Sequence, residues 1–122
     1  LRSAAPMNVS VRVELNPPST ALQKDIARID AIWTEGFERF GGAYLCGDRF
    51  TAADAFFAPV VFRWRTYGFE LGPVAEGYAH SMSVEPFMLE WERAALAERW
   101  DDPLHEAETR AAGRIDRDLR KG

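Results

Sequence analysis

One short segment constrains the fold of this chain more than any other. Thr51 stands three residues before Asp54, and a strongly apolar stretch follows at residues 55–62. This spacing is typical of an N-capping box, in which the Thr51 hydroxyl accepts the N–H of Asp54 and the Asp54 carboxylate accepts the N–H of Thr51. A helix with so apolar a composition is expected to be buried nearly all round. We therefore predict a central helix that begins near Ala52 and whose capping groups are buried with it.

The same apolar pattern continues to Tyr67, so the central helix is predicted to span about residues 52–67. Pro59 lies inside this span and is expected to kink the helix, because proline removes one ladder hydrogen bond and collides with the preceding turn. Gly68 then ends the pattern.

A long amphipathic helix is predicted before the central one. Its apolar residues recur at steps of three and four, which is the spacing of one helical face. Ser19 is the expected N-cap, and Gly41 and Gly42 are expected to end the helix. The residues of this face are Leu22, Ile26, Ile29, Trp33, Phe37 and Phe40.

The other segments are less apolar. Two shorter helices are predicted at about 74–83 and 86–99, and residues 101–122 are expected to form a solvated polar helix that frays toward the end. Valines alternate with polar residues at positions 9–13, which is a strand pattern, but no second strand pattern is visible to pair with it. Residues 6–18 are therefore interpreted as an extended loop.

These elements predict an all-α fold. Helices with these apolar faces pack as a bundle, with the most apolar helix in the middle. We expect a helical domain over residues 1–100 and a polar helical tail over residues 101–122.

Composition excludes several classes of function. The net charge is −4, and basic residues are interspersed with acidic ones, which argues against a nucleic-acid interface. No apolar run approaches the roughly 20 residues of a membrane span. Cys46 is the single cysteine, so no intrachain disulfide is possible and a cytoplasmic protein is expected. The chain does not begin with Met, and we expect it to be processed or cut from something longer.

The segment 47–54, Gly-Asp-Arg-Phe-Thr-Ala-Ala-Asp, resembles the capping segment of the glutathione transferase C-terminal domain. The neighbouring sequence agrees with this resemblance. A long amphipathic helix precedes the segment, a Tyr-Leu-x-Gly lead-in starts at Tyr44, and an Arg-Trp pair ends at Trp64. The resemblance covers roughly residues 1–100 and implies an all-helical domain with the capped helix at its centre.

The resemblance also implies a partner. Glutathione transferases carry an N-terminal thioredoxin-like domain that binds glutathione and activates its thiol, and no segment of this chain resembles that domain. The expected partners are therefore the missing thioredoxin-like domain or a second subunit in a homo-oligomer. The parent reaction would join glutathione, as co-substrate, to a small apolar electrophile. This chain alone is expected to be inactive and to contain no catalytic residue.

Three residues are candidates for the electrophile pocket. In several bacterial transferases that resemble this chain, an aromatic residue at the position of Trp64 lines the pocket, although a core role fits equally well. Arg63 would meet an anionic substrate or a glutathione carboxylate, and a surface cation is its alternative. Tyr67 would offer its hydroxyl to a substrate, and its alternative is an aromatic residue at the helix end with a hydrated tip.

Other reactive residue types give weaker indications. Cys46 lies near Arg49 and the start of the central helix, yet a buried structural thiol is the favoured interpretation. His80 and His105 stand alone, and no set of three metal ligands occurs at workable spacing, so no metal is expected.

A second function class stays open. Domains that resemble this one occur in translation factors and tRNA synthetase complexes, where they hold partners and catalyse nothing. The chain would then be a non-catalytic helical interaction module. Apolar surface left by the missing thioredoxin-like half would favour self-association.

Overall fold

The computed structural model describes residues 1–121 and is mostly helical, as predicted. A small sheet near the two ends of the chain is the feature that the sequence analysis did not predict. In chain order the elements are β1 (Val11–Leu15), α1 (Thr20–Phe40), α2 (Ala52–Tyr67), α3 (Pro73–Ser83), α4 (Pro86–Ala97), α5 (Pro103–Ala112) and β2 (Gly113–Asp118), followed by a 3-10 turn (Leu119–Lys121).

The predicted limits of α1 are confirmed. The Ser19 hydroxyl accepts the N–H of Leu22 at 3.2 Å and so caps the helix. Gly41 has a φ of 63°, in the left-handed region that glycine adopts readily, and its N–H bonds to the carbonyl of Phe37 at 3.0 Å. Trp33, from the predicted apolar face, is fully buried in the main core.

Helix α2 has the predicted limits and packs between β1 and α3. It continues through Pro59, and a kink there stays a prediction. Its second half is buried through residues such as Val61 and Phe62. Its first turns differ from the expectation of burial all round, because Phe56 is 83% exposed and Ala52 is exposed as well.

The interpretation of residues 6–18 as a loop is wrong for residues 11–15. Strand β1 pairs antiparallel with β2, from Val11 opposite Asp118 to Leu15 opposite Gly113, with an irregularity after Arg12. The valines of β1 point into the core. Strand β2, with the sequence Gly-Arg-Ile-Asp-Arg-Asp, has no alternation of large apolar residues. Its side chains therefore gave no strand signal in the sequence, although its backbone pairs with β1.

The expectation of a polar helical tail is met only in part. Helix α5 ends at Ala112, and the chain continues as β2 rather than as a fraying helix. Thr109 is fully buried, and the amide of Asn8 donates to its hydroxyl at 3.3 Å. This segment is therefore packed against the amino-terminal residues. The division of the chain at residue 100 stays a prediction.

The interior has two apolar clusters that meet at α2. The larger lies among α1, α2, α3 and the start of α4, and the smaller lies among β1, α1 and the end of α2. Within residues 1–121 the two strands are antiparallel, and no βαβ unit of a thioredoxin-like domain is present. None of the helices in these residues is long and apolar enough to cross a membrane.

Candidate functional site

Asp54 is the buried polar centre of the domain. One carboxylate oxygen, Oδ2, accepts the N–H of Thr51 at 2.9 Å. The other, Oδ1, accepts the N–H of Leu45 at 3.2 Å and the hydroxyl of Tyr78 at 2.8 Å. Asp54 is fully buried, and it joins the α1–α2 loop, the first turn of α2 and helix α3. These three hydrogen bonds support a structural capping role for Asp54.

The two halves of the predicted capping box are unequal. The carboxylate half, from Thr51 N–H to Asp54, has normal hydrogen-bond geometry. The Thr51 hydroxyl faces the backbone of Asp54, but its hydrogen bond goes to Asp54 Oδ2 at 3.5 Å, the outer limit for such a bond. The complete two-bond box therefore stays a prediction. Burial and the hydrogen bond to Asp54 raise the pKa of Tyr78. The Tyr78 hydroxyl therefore stays protonated and can donate to the carboxylate.

Arg63 and Tyr67 bind the amino-terminal segment of the chain. The Arg63 Nε donates to the carbonyl of Ala5 at 3.0 Å, and the Tyr67 hydroxyl donates to the carbonyl of Pro6 at 2.6 Å. Arg63 is 9% exposed and Tyr67 is 5% exposed. The surface-cation alternative for Arg63 and the hydrated-tip alternative for Tyr67 are both wrong, because both side chains are buried and each donates to a backbone carbonyl.

Burial also sets the protonation of these two residues. It raises the pKa of Tyr67 to about 12 and lowers the pKa of Arg63 from its ordinary value of 12.5. Thr66 lies between them and donates to the carbonyl of Asn8 at 2.6 Å. The last turns of α2 therefore hold the backbone of residues 5–8. A substrate role for Arg63 or Tyr67 stays a prediction.

Trp64 differs from its two neighbours because it lines an open cavity of about 460 Å³. Its ring meets that of His80 edge to face, with centroids 4.8 Å apart. Phe69, Arg12 and Arg65 also line it, and the Phe69 ring is stacked on that of Tyr67. Arg63 and Tyr67 do not line this cavity, so the structure does not bring the three predicted pocket residues together.

The two arginines of the cavity share one carboxylate of α4. Arg65 of α2 makes two hydrogen bonds to Glu92 of α4, at 2.6 and 3.3 Å. Arg12 of β1 reaches the same carboxylate at 3.9 Å and donates to the carbonyl of Val11 at 2.9 Å. Burial, followed by the charge of Arg65, lowers the pKa of Arg12.

Sequence reasoning missed Arg12 as a cavity residue. The available signal was the alternation of Val9, Val11 and Val13, which places Arg12 on the opposite face of a strand from the valines. That signal does not reveal which helix covers the face. Only the tertiary structure brings Arg12 to α2 and α4.

The other candidates have simple outcomes. Cys46 is exposed, so the prediction of a buried thiol is wrong, since the loop before α2 turns its side chain outward. His80 packs on Trp64 in the cavity, and a ring nitrogen of His105 bonds to the carbonyl of Met7. Within residues 1–121, no three side chains of His, Cys, Asp or Glu are grouped to hold a metal ion.

An aromatic cluster lies on the surface beside the start of α2. Phe50 packs edge to face against Phe87, with ring centroids 5.1 Å apart, and against Tyr44 at 6.0 Å. Phe50 is 42% exposed and Phe87 is 37% exposed. We call Tyr44, Phe50 and Phe87 the surface aromatic cluster.

Three comparisons with known proteins bear on the family. The family described as glutathione S-transferase, C-terminal domain, matches residues 17–103, which is more than half of the chain. The match covers α1 to α4 and so includes the capped helix and Trp64. The search of curated proteins and the search of solved structures each found no match. Because this family match covers more than half of its residues, the chain belongs to the glutathione S-transferase C-terminal domain family.

Proposed function

We propose that this chain forms the electrophile-binding half of a glutathione S-transferase. The parent reaction is the attack of a glutathione thiolate on a small apolar electrophile, as in detoxification. Glutathione is its co-substrate. The observation that carries the proposal is the position of Trp64, which lies in the family's central helix and lines a cavity of about 460 Å³. A volume of this size suits a small-molecule site.

In this proposal the chain binds the electrophile and does not activate the thiol. Trp64 and Phe69 supply the flat apolar walls that an aromatic electrophile needs. A thioredoxin-like domain supplies the glutathione site and the thiol-activating residue. That domain belongs to the same cytoplasmic protein or to a second subunit of a dimer. The chain alone then accelerates no conjugation.

Indole N–H signals provide a direct test of the cavity. The chain has four Trp residues, so a two-dimensional ¹H–¹⁵N spectrum resolves a small set of indole signals. Trp64→Phe assigns the Trp64 signal, and Trp100→Phe assigns a matched control that is 69% exposed and lies outside the cavity. We expect 1,3-dinitrobenzene, an unreactive aromatic stand-in for the electrophile, to shift the Trp64 signal saturably.

Two results would overturn the proposal. One is a titration in which the Trp64 signal does not move up to the solubility limit of the probe. The other is conjugation of glutathione to 1-chloro-2,4-dinitrobenzene by the 122-residue chain above the rate in buffer, since the thiol would then be activated within this chain.

The surface aromatic cluster favours a second candidate, the helical interaction module. Phe50 and Phe87 are partly exposed, and Phe56 is 83% exposed at the start of α2. Exposed aromatic groups of this kind are enriched where proteins associate. Sedimentation over a concentration series tests this candidate. Self-association that Phe56→Ser abolishes would favour it, and a monomer at every concentration would count against it.

A further inference from the structure

Two arginines, Arg12 and Arg65, line the Trp64 cavity, and a third lies opposite Arg12 on the sheet. Arg12 of β1 and Arg117 of β2 are directly opposite each other in the antiparallel pair, so their side chains leave the same face of the sheet. The charges of Arg65 and Arg117 both lower the pKa of Arg12, which places the three guanidinium groups within electrostatic reach. We call Arg12, Arg65 and Arg117 the arginine cluster.

Acidic groups also lie near this cluster. Glu92 bonds to Arg65 and approaches Arg12, and its side chain is 17% exposed. Glu76 lines the cavity, and its carboxylate lies 3.9 Å from the His80 ring nitrogen Nε2. Asp116 lines a neighbouring cavity that Arg12 also lines. Like charges directly opposite each other on a sheet are destabilising. An anion at this face would relieve that repulsion.

The hydrogen bonds of Arg12 and Arg65 use only some of their guanidinium N–H groups. Arg65 presents two of its five N–H groups to Glu92, and Arg12 uses Nη1 for the carbonyls of Val9 and Val11. The side chains of Arg12 and Arg65 are 25% and 24% exposed, so a ligand in the cavity meets partly dehydrated cations. Hydrogen bonds to a carboxylate are stronger in such a setting.

We propose that the Trp64 cavity selects aromatic carboxylates, with the ring against Trp64 and Phe69 and the carboxylate on Arg12 and Arg65. This inference rests on the proposed function, because it names the chemical class of ligand for the same cavity. The aromatic walls and the cations lie on one cavity of about 460 Å³, so a compact ligand meets both. A neutral apolar electrophile would use only the aromatic walls.

The test compares two probes of nearly equal shape, 2-naphthoate and its neutral amide, 2-naphthamide. Both are titrated into the full chain by calorimetry, and the indole signal of Trp64 reports where they bind. We expect naphthoate to bind about tenfold more tightly than naphthamide, since a charged hydrogen-bond partner contributes roughly this factor. The preference should shrink as salt is added.

Charge variants locate the source of the preference. Arg12→Gln is expected to weaken naphthoate about tenfold and to leave naphthamide unchanged. Arg117→Gln removes the charge opposite Arg12 and keeps the Arg12 hydrogen bonds to backbone carbonyls. Circular dichroism verifies that each variant is folded. Arg114→Gln is the matched control, because it removes one charge from β2 at a residue paired with Glu14, outside the cavity.

Two outcomes separate this inference from the proposed function. Equal affinity for both probes, with the Trp64 signal shifting in each titration, would overturn the anion preference and leave the electrophile cavity in place. No shift of the Trp64 signal with either probe would overturn both. A preference for naphthoate that survives Arg12→Gln would also overturn the inference.

Discussion

The hydroxyl of Tyr78 donates a 2.8 Å hydrogen bond to the carboxylate of Asp54, and both groups are buried. This bond connects helix α3 to the first turn of α2. The same carboxylate also accepts two backbone N–H groups, from Leu45 and Thr51. Three donors from separate parts of the chain therefore depend on one acceptor side chain.

Replacement of that side chain should destabilise the domain strongly. Asp54→Ala leaves three donors without their acceptor, and each unsatisfied buried donor costs about 1–3 kcal/mol. We expect the free energy of unfolding, measured by urea denaturation, to fall by about 3 kcal/mol or more. Asp48→Ala, which removes an exposed carboxylate from the same loop, is the control and should change it little. A loss of less than about 1 kcal/mol for Asp54→Ala would contradict the observed network.

Stability should decrease at alkaline pH. The pKa of Tyr67 is about 12 in the folded protein, against an ordinary value of 10.0, because the hydroxyl is buried. Between these values the unfolded chain has lost a proton that the folded chain keeps, so the free energy of unfolding falls as the pH rises. The contribution is fully present below pH 10. The pKa of Tyr78 is also raised, which adds to the loss.

Urea denaturation at pH 9, 10 and 11 measures this effect. Tyr67→Phe should show a smaller loss between pH 10 and 11 than the parent chain does, although it is less stable at pH 7 without the bond to the Pro6 carbonyl. A parent chain whose stability is constant up to pH 11 would be inconsistent with buried, protonated tyrosines.

Two glycine substitutions should have opposite effects. A Cβ atom at Gly113 would lie 2.1 Å from the carbonyl oxygen of Glu14, so Gly113→Ala must separate β1 from β2 and is expected to cost about 1–3 kcal/mol. A Cβ atom at Gly77 meets nothing within 4 Å and lies inside α3. Gly77→Ala should therefore stabilise the chain by up to about 1 kcal/mol. Thermal denaturation of both variants provides the comparison, and a Gly113→Ala chain at least as stable as the parent would refute the close approach of the strands.

Cys46 should react freely in the native chain. Its side chain is exposed in the loop between α1 and α2, so the thiolate is accessible to reagents. We expect 5,5′-dithiobis(2-nitrobenzoate) to modify one thiol per chain at a rate comparable to that of the denatured chain. Cys46→Ser is the blank. Strong protection that ends only when denaturant is added would show that the thiol is buried after all.

Helix limits were predictable because their causes are local. Ser19, Gly41 and Gly68 cap helices through contacts within a few residues, and the apolar spacing of α1 needs no knowledge of its partners. The start of α2 was likewise set by Thr51 and Asp54.

The sheet and the charged side of the cavity depend on distant parts of the chain. Strand β1 packs on α2, and this brings Arg12 close to Arg65 of α2 and to Glu92 of α4. No local sequence pattern encodes those contacts. Arg63 was hard to place for a related reason. A cation is expected at the surface, but backbone carbonyls from residues 5–8 were available inside to accept its hydrogen bond.

The pairing of Val11 with Asp118 has a consequence for synthesis on the ribosome. Strand β1 is translated first, and its partner follows only after about 100 further residues, so closing the sheet requires a long loop. During that time the backbone edge of β1 is open to other chains. During synthesis the sheet can therefore close only after β2 has been made, and slow translation of the helical middle would lengthen the period in which the nascent chain is prone to aggregate.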